Sequence, residues 1–206
     1  MGGLFTVAAD PIATLVFGHG AGADMRHATM QSIAEAFAAV GISSLRFNFP
    51  FKETGKFRVD SKDVSTGTIK AAFEFATEHY EGPYCLGGHS FGGRMTSHAV
   101  LDHRLDVAAL IFCAFPLHPA GKPSVERARH MDAIETPMLF LSGDRDKLAE
   151  RRLMTQVTGR LGATLRWLDT GDHGYRILKR SRVREDDIFA EMAGYARQFV
   201  LKNVCP

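Results

Sequence analysis

At 206 residues the chain is long enough for one well-filled domain and too short for two. A hydrophobic share of 45%, a charged share of 23% and a formal net charge of +2 are those of an ordinary globular protein, and they give no reason to expect nucleic acid or an anionic membrane as partner. No apolar run approaches the ~20 residues of a bilayer span, and no basic stretch precedes an apolar one at the N-terminus, so neither a membrane segment nor a signal peptide is expected.

Apolar runs alternate with amphipathic stretches along the chain, as in βα units around a parallel sheet. Ala13–Phe17 reads as a first strand, stopping at His19-Gly20-Ala21-Gly22. A helical period follows from His27 to Val40, with Met30, Ile33, Phe37 and Val40 on one face and Gly41 closing it. Ile42–Asn48 is the second strand; the polar stretch Lys52–Thr66 reads as loop. Thr68–His79 is helical, with Ile69, Ala72, Phe73 and Ala76 inward. Tyr84–Gly87 is a strand running into Gly88-His89-Ser90-Phe91-Gly92-Gly93, and a helix continues to Leu101. Val107–Cys113 is apolar throughout, as in a strand buried on both faces. The proline-bearing stretch 114–136 holds at most a short helix and is too short for a cap domain. Met138–Ser142 and Thr164–Leu168 are the last strands, and a helix over Asp187–Lys202 ends the chain. The expected architecture is α/β: one domain over 1–206, a doubly wound, mostly parallel sheet of six strands.

Three cysteines, Cys85, Cys113 and Cys205, leave one unpaired whatever the pairing, and two lie in apolar runs; reduced thiols and a cytoplasmic location are expected. Their spacing fits no zinc site. The basic cluster Lys179, Arg180, Arg182 and Arg184, followed at once by Glu185-Asp186-Asp187, reads as a solvated approach to the last helix. Met1–Thr6 matches the loose myristoylation pattern, without the polybasic segment that would make it an anchor.

Gly88-His89-Ser90-Phe91-Gly92 matches G-x-S-x-G, in which a serine sits on a sharp strand-to-helix turn and small neighbours let the chain pass close by. A serine hydroxyl is a poor nucleophile at neutral pH and needs a base, itself oriented by an acid. In this pattern the acid and then the histidine follow the serine along the chain. Asp144 and Asp146 both follow the strand Met138–Ser142; Asp146, placed after the Gly143 turn, is preferred, with Asp144 left to cap the turn. His173, of nine histidines, is the one in a loop directly after a late strand. His118 is a rival near the same rim. His89 is expected to face away from the hydroxyl, and His27, His79, His103 and His130 to lie at the surface. An oxyanion would be received by the backbone N–H of Phe91 and of Ala21, with Gly20 and Gly22 bending that loop over the serine and His19 as a structural anchor. Phe49, Phe115 and His118, at or near strand ends, are candidates for an acyl pocket, with Phe47 and Phe51 beside them.

His19-Gly20-Ala21-Gly22, Arg46-Phe47-Asn48-Phe49-Pro50, Gly88–Arg94 and Phe115-Pro116-Leu117-His118-Pro119 together resemble the compact, dienelactone-hydrolase-like α/β-hydrolases. Within them the chain is similar to the group containing testis-expressed protein 30 and the hydrolase-like subunit of the NSL chromatin complex. The resemblance covers 14–199 and implies a Ser90, Asp146, His173 triad in a domain without a large lid. The chain departs from the pattern in His89 and Phe91 beside the nucleophile and in the composition of the 52–66 loop. Position 90 holds serine, not the cysteine of true dienelactone hydrolases, which argues against their lactone substrate.

The expected activity is hydrolysis of a small carboxylic ester or thioester through an acyl-enzyme, with a small-molecule acyl substrate as partner and no cofactor or metal. Two alternatives stand beside it: an interaction module that keeps the fold without catalysis, and peptidase or perhydrolase chemistry on the same residues.

Overall fold

The strands alternate in which face they present, and both faces are apolar, so each must be covered by helices. In the computed structural model, which describes residues 2–183 and 186–204, this produces a three-layer arrangement. The elements in chain order are β1 (Gly3–Thr6), β2 (Ala13–Gly18), α1 (Ala28–Ala38), β3 (Ile42–Phe47), α2 (Pro50–Glu53), α3 (Lys62–His79), β4 (Tyr84–His89), α4 (Phe91–His103), β5 (Ala109–Cys113), a 3₁₀ helix (Glu126–Ala133), β6 (Met138–Gly143), α5 (Arg151–Arg160), β7 (Thr164–Leu168) and α6 (Ile188–Asn203). The sheet has seven strands in the order β1-β3-β2-β4-β5-β6-β7. Only β1 runs antiparallel, against β3. On one face Val16, Leu86, Leu110, Phe112 and Phe140 pack under α3, α4 and α5. On the other, Leu15, Phe17, Ile111 and Leu139 pack under α1 and α6. After β3 the chain returns to pair β4 on the other side of β2. The crevice of such a sheet opens at the carboxyl ends of the strands where the order reverses, which here means the loops after β2 and β4.

Three expectations need correction. The sheet has seven strands, not six: β1 is a four-residue edge strand beginning at a glycine and mostly half-exposed, too short and too mixed to show a period. It is held by its ladder to β3 and by Phe5 stacking on Tyr80, ring centroids 3.5 Å apart. Residues 52–66 are not all loop, since α2 continues to Glu53 and α3 begins at Lys62, capped by the Ser61 hydroxyl on the Val64 amide. The buried positions of α3 are Ser65, Thr66, Ile69, Ala72 and Ala76. The helical stripe is therefore complete, but its first two members are hydroxylated. Each satisfies its hydroxyl on the helix's own carbonyls, Ser61 O and Asp63 O, so burial costs them little. Arg182 is not a solvated side chain: with 3% exposure it pairs with Glu191 of α6 at 2.7 Å and donates to Asp169 O at 2.8 Å.

Helix α1 buries three of the four positions expected on its inner face, and the fourth, Val40, lies past its end and is half-buried. Met30, Ile33 and Phe37 of α1 are buried, and Asp187 caps α6 through the Phe189 amide. Cys85 and Cys113 are both buried, and the Cys113 thiol is free. Met1, Arg184, Glu185 and Cys205 lie outside the described residues, and with them the start of the myristoylation match, part of the basic cluster and the third thiol. Among the described residues no helix is long and apolar enough to cross a membrane.

Candidate active site

Ser90 sits between β4 and α4 with φ 52° and ψ −113°, a strained conformation for a residue with a side chain. Its amide is tied to Cys113 O at 2.9 Å, and its carbonyl receives the Arg94 amide at 3.1 Å. The glycines around it are there for closeness of approach. A methyl carbon at Gly88 would lie 2.5 Å from Gly92 C and from Gly93 N, and one at Gly92 would run into Gly18 O and His19 O. The turn is thus clamped between α4 and the end of β2, with its serine held out over the rim.

The Ser90 hydroxyl donates to His173 Nε2 at 2.8 Å, and His173 Nδ1–H donates to Asp146 Oδ2 at 2.7 Å. The three side chains expected from the sequence therefore meet in an unbroken relay from loops after β4, β6 and β7. The Asp146 side chain is fully buried, whereas that of His173 keeps 29% of its surface exposed. The other Asp146 oxygen accepts the Leu148 amide at 2.8 Å, which fixes the carboxylate's direction. Asp144 takes no part: its Oδ1 is buried without a partner, and its Oδ2 lies 4.0 Å from Arg151.

The loops carrying acid and histidine are joined by backbone. The Arg145 amide donates to Gly171 O at 2.9 Å and the Asp144 amide to Leu168 O at 3.2 Å. Gly143 is pressed so tightly on Gly171 that any side chain at position 143 would enter the Gly171 carbonyl.

The loop after β2 passes over the serine. A methyl carbon at Gly20 would lie 3.6 Å from Ser90 Cβ. His19 pins that loop: its Nδ1–H donates to Gly20 O at 2.8 Å while its Nε2 accepts the Phe49 amide at 3.1 Å. Phe91 begins α4, so its N–H has no acceptor within the helix.

The three pocket candidates lie elsewhere. Phe49 is fully buried beneath Phe91, ring centroids 5.3 Å apart, beside Phe51. Phe115 is fully buried against Phe112 and Phe140. His118, 2% exposed, is fastened like His19, donating to Pro119 O and accepting the Glu150 amide. All three support the rim from within and offer no surface to a ligand.

His89 has a part the sequence did not reveal. Its Nε2–H donates to His173 O at 3.0 Å, and the two rings lie 5.5 Å apart. The residue before the serine thus holds the loop of the histidine, a pairing of residues 84 apart that no local pattern signals. Burial, followed by the neighbouring His173, pushes the His89 pKa down to about 4. Cys113, at the end of β5, has its thiol pushed up to about 12 by burial and is inert as a nucleophile at neutral pH. Among the described residues no three His, Cys, Asp or Glu side chains are grouped to hold a metal ion.

His130 is not a surface residue: it stacks on His98 at 3.7 Å, shares a 2.8 Å hydrogen bond with Ser97, and burial lowers its pKa to about 4. Burial lowers that of His19 as well. Each of these folded values lies below the free value of 6.5, so in between the unfolded chain binds more protons. Their contribution is present above pH 6.5 and is lost as pH falls below it, for His89 and His130 toward about 4. The urea midpoint should be level from about pH 7 to 8 and fall steadily below about 6.5. A midpoint that stayed level down to pH 4.5 would contradict this account of the buried imidazoles.

Comparison with known proteins identifies the family and the fold. The family described as "Alpha/beta hydrolase domain" matches residues 11–201. Among solved structures, Est1E of Butyrivibrio proteoclasticus, with ferulic acid bound, superposes with a TM-score of 0.79 at 16% identity, over 100% of this chain and 96% of that one. A serine hydrolase without a lid from Xanthomonas campestris gives 0.73 at 20% identity, over 97% and 88%. A dienelactone hydrolase from Anabaena variabilis gives 0.70 at 16%, over 98% and 91%. At these identities the structural likeness speaks for the fold.

Proposed function

Because the chain belongs to the alpha/beta hydrolase family, we propose that it is a serine hydrolase cleaving a small carboxylic ester or thioester through an acyl-enzyme on Ser90. The observation that carries this reading is the relay of two short hydrogen bonds, Ser90 to His173 and His173 to Asp146, at 2.8 and 2.7 Å. Ser90 Oγ attacks the acyl carbon while its proton passes to His173 Nε2. The carbonyl oxygen takes up negative charge and is received by the Phe91 and Ala21 amides. As the tetrahedral centre collapses, the bond to the leaving oxygen or sulfur breaks and His173 returns the proton to that atom. Water then repeats the sequence: it gives its proton to His173, its oxygen attacks the acyl carbon, and the acid leaves with Ser90 restored. Asp146 holds the imidazole in the tautomer that both halves need.

On the motifs at His19–Gly22 and Gly88–Arg94 we further group the chain with the testis-expressed protein 30 and NSL-subunit relatives. Its partner is a small acyl compound, and on the buried free thiol of Cys113 we assign it to the cytoplasm.

The stretch between β5 and β6 contributes one short 3₁₀ helix and no covering layer, so an open site should favour short or exposed acyl groups. Rates on p-nitrophenyl esters of two to twelve carbons, matched thioesters and an anilide should show short esters and thioesters ahead of long chains and of the amide. Micellar long-chain lipids as the fastest substrates would contradict it.

A further inference from the structure

A cavity of about 460 Å³ opens beside His173, lined by the start of α1 and the loops after β6 and β7. Arg145, Lys147 and Arg176 line it, together with His27 and Asp172. Among the described residues none of the three cations forms an ion pair, and all three are exposed. The Asp172 carboxylate brings one negative charge against the three positive ones, and one of its oxygens accepts the Gly174 and Arg176 amides, each at 2.9 Å. Helix α1 begins at the same cavity with no acidic residue in its first turn, capped there by the His27 ring, which accepts the Thr29 amide at 3.2 Å. A chain whose net charge is only +2 therefore concentrates positive charge around its candidate base.

The chemistry says which part of a substrate meets this charge. His173 must hand its proton to the leaving atom, so the leaving group lies on the histidine's side, and the cavity shares that histidine. We propose that the cavity receives the leaving-group half of the substrate, and that this half is anionic, with phosphate or carboxylate groups held by Lys147, Arg176 and Arg145. The inference rests on the hydrolase reading above and adds the substrate class to it. Converging cations in a cleft attract an anion before contact and lose that advantage as salt rises.

The test compares leaving groups with and without an anionic group. Acetyl-CoA and S-acetyl-N-acetylcysteamine share one thioester, and only the first carries phosphates. 4-Acetoxybenzoate and 4-acetoxybenzamide form the carboxylate pair. In at least one pair the charged member should have the higher kcat/KM by about tenfold or more, and that ratio should shrink at high salt. Which pair responds tells phosphate from carboxylate. The double variant Lys147→Gln, Arg176→Gln should lower the same ratio severalfold; a ratio within one preparation is insensitive to loss of active protein. Arg145 is left intact because it also donates to Thr170 O, at 3.0 Å, in the loop of His173. Ratios near one in both pairs, or a ratio unmoved by the double variant, would overturn the proposal while leaving the hydrolase intact. If no substrate is turned over and Ser90 reacts with no fluorophosphonate, the hydrolase reading is what fails. Calorimetric titration of CoA and of 4-hydroxybenzoate then decides the cavity alone: binding to the wild type that the double variant loses supports an anion site, and no binding refutes it.

Discussion

Ser90→Ala should abolish labelling by a fluorophosphonate and lower turnover of short acyl esters by at least about 10⁴-fold. The size follows from the role proposed for the hydroxyl: it is the atom that would form the covalent bond, and in the structure it donates to His173 Nε2 at 2.8 Å. Removing it leaves only the amides of the proposed oxyanion hole and the binding surface, which orient a substrate without attacking it. The fold should be indifferent. Alanine keeps the Cβ that the φ of 52° already tolerates, and the Ser90 amide and carbonyl keep their partners in β5 and α4. Thermal midpoints of the two proteins should therefore agree within a few degrees, so that lost activity can be read as lost chemistry. A variant that still labels, or that hydrolyses esters at the wild-type rate, would show that the reactive nucleophile lies elsewhere.

The core strands and the relay were legible in the sequence for one reason. Strands buried on both faces are apolar, and each relay residue lies within a few positions of a strand's end, His173 after the half-exposed edge strand β7. Val107–Cys113 and the turn Gly88–Gly93 show both signals at once. The first turn of α3 hid because Ser65 and Thr66 are buried yet polar, and hydropathy has no term for a hydroxyl satisfied by its own helix. Phe49 and Phe115 illustrate the opposite failure. Proximity to a strand end places a phenylalanine near the rim, but only packing decides whether the ring faces a ligand or, like Phe49 under Phe91, the core. His118 and His19 are fastened alike, each by one donated and one accepted backbone hydrogen bond, yet only His19 lies in the loop over the serine. The cavity beside His173 was invisible for a further reason: His27, Arg145 to Lys147 and Asp172 to Arg176 come from three separated segments, none of them charged enough to stand out.

The choice between the two aspartates can be settled by one pair of variants. Asp146→Asn keeps the shape of the side chain, and its amide oxygen can still accept the Leu148 amide now bound at 2.8 Å. What then faces His173 Nδ1 is an NH₂ group, which donates instead of accepting. The imidazole answers by placing its proton on Nε2, where it points at the Ser90 hydroxyl and cannot take a proton from it. The expected result is a fall in kcat of about 10⁴-fold with little change in KM, because orientation of the base is lost and substrate binding is not. Asp144→Asn should change kcat by less than about threefold, since no hydrogen bond joins Asp144 to His173 and the Arg151 guanidinium it pairs with is 4.0 Å away on an exposed side chain. Were the effects reversed, with Asp144→Asn the crippled enzyme, the 2.7 Å contact between His173 and Asp146 would belong to a resting arrangement that catalysis abandons.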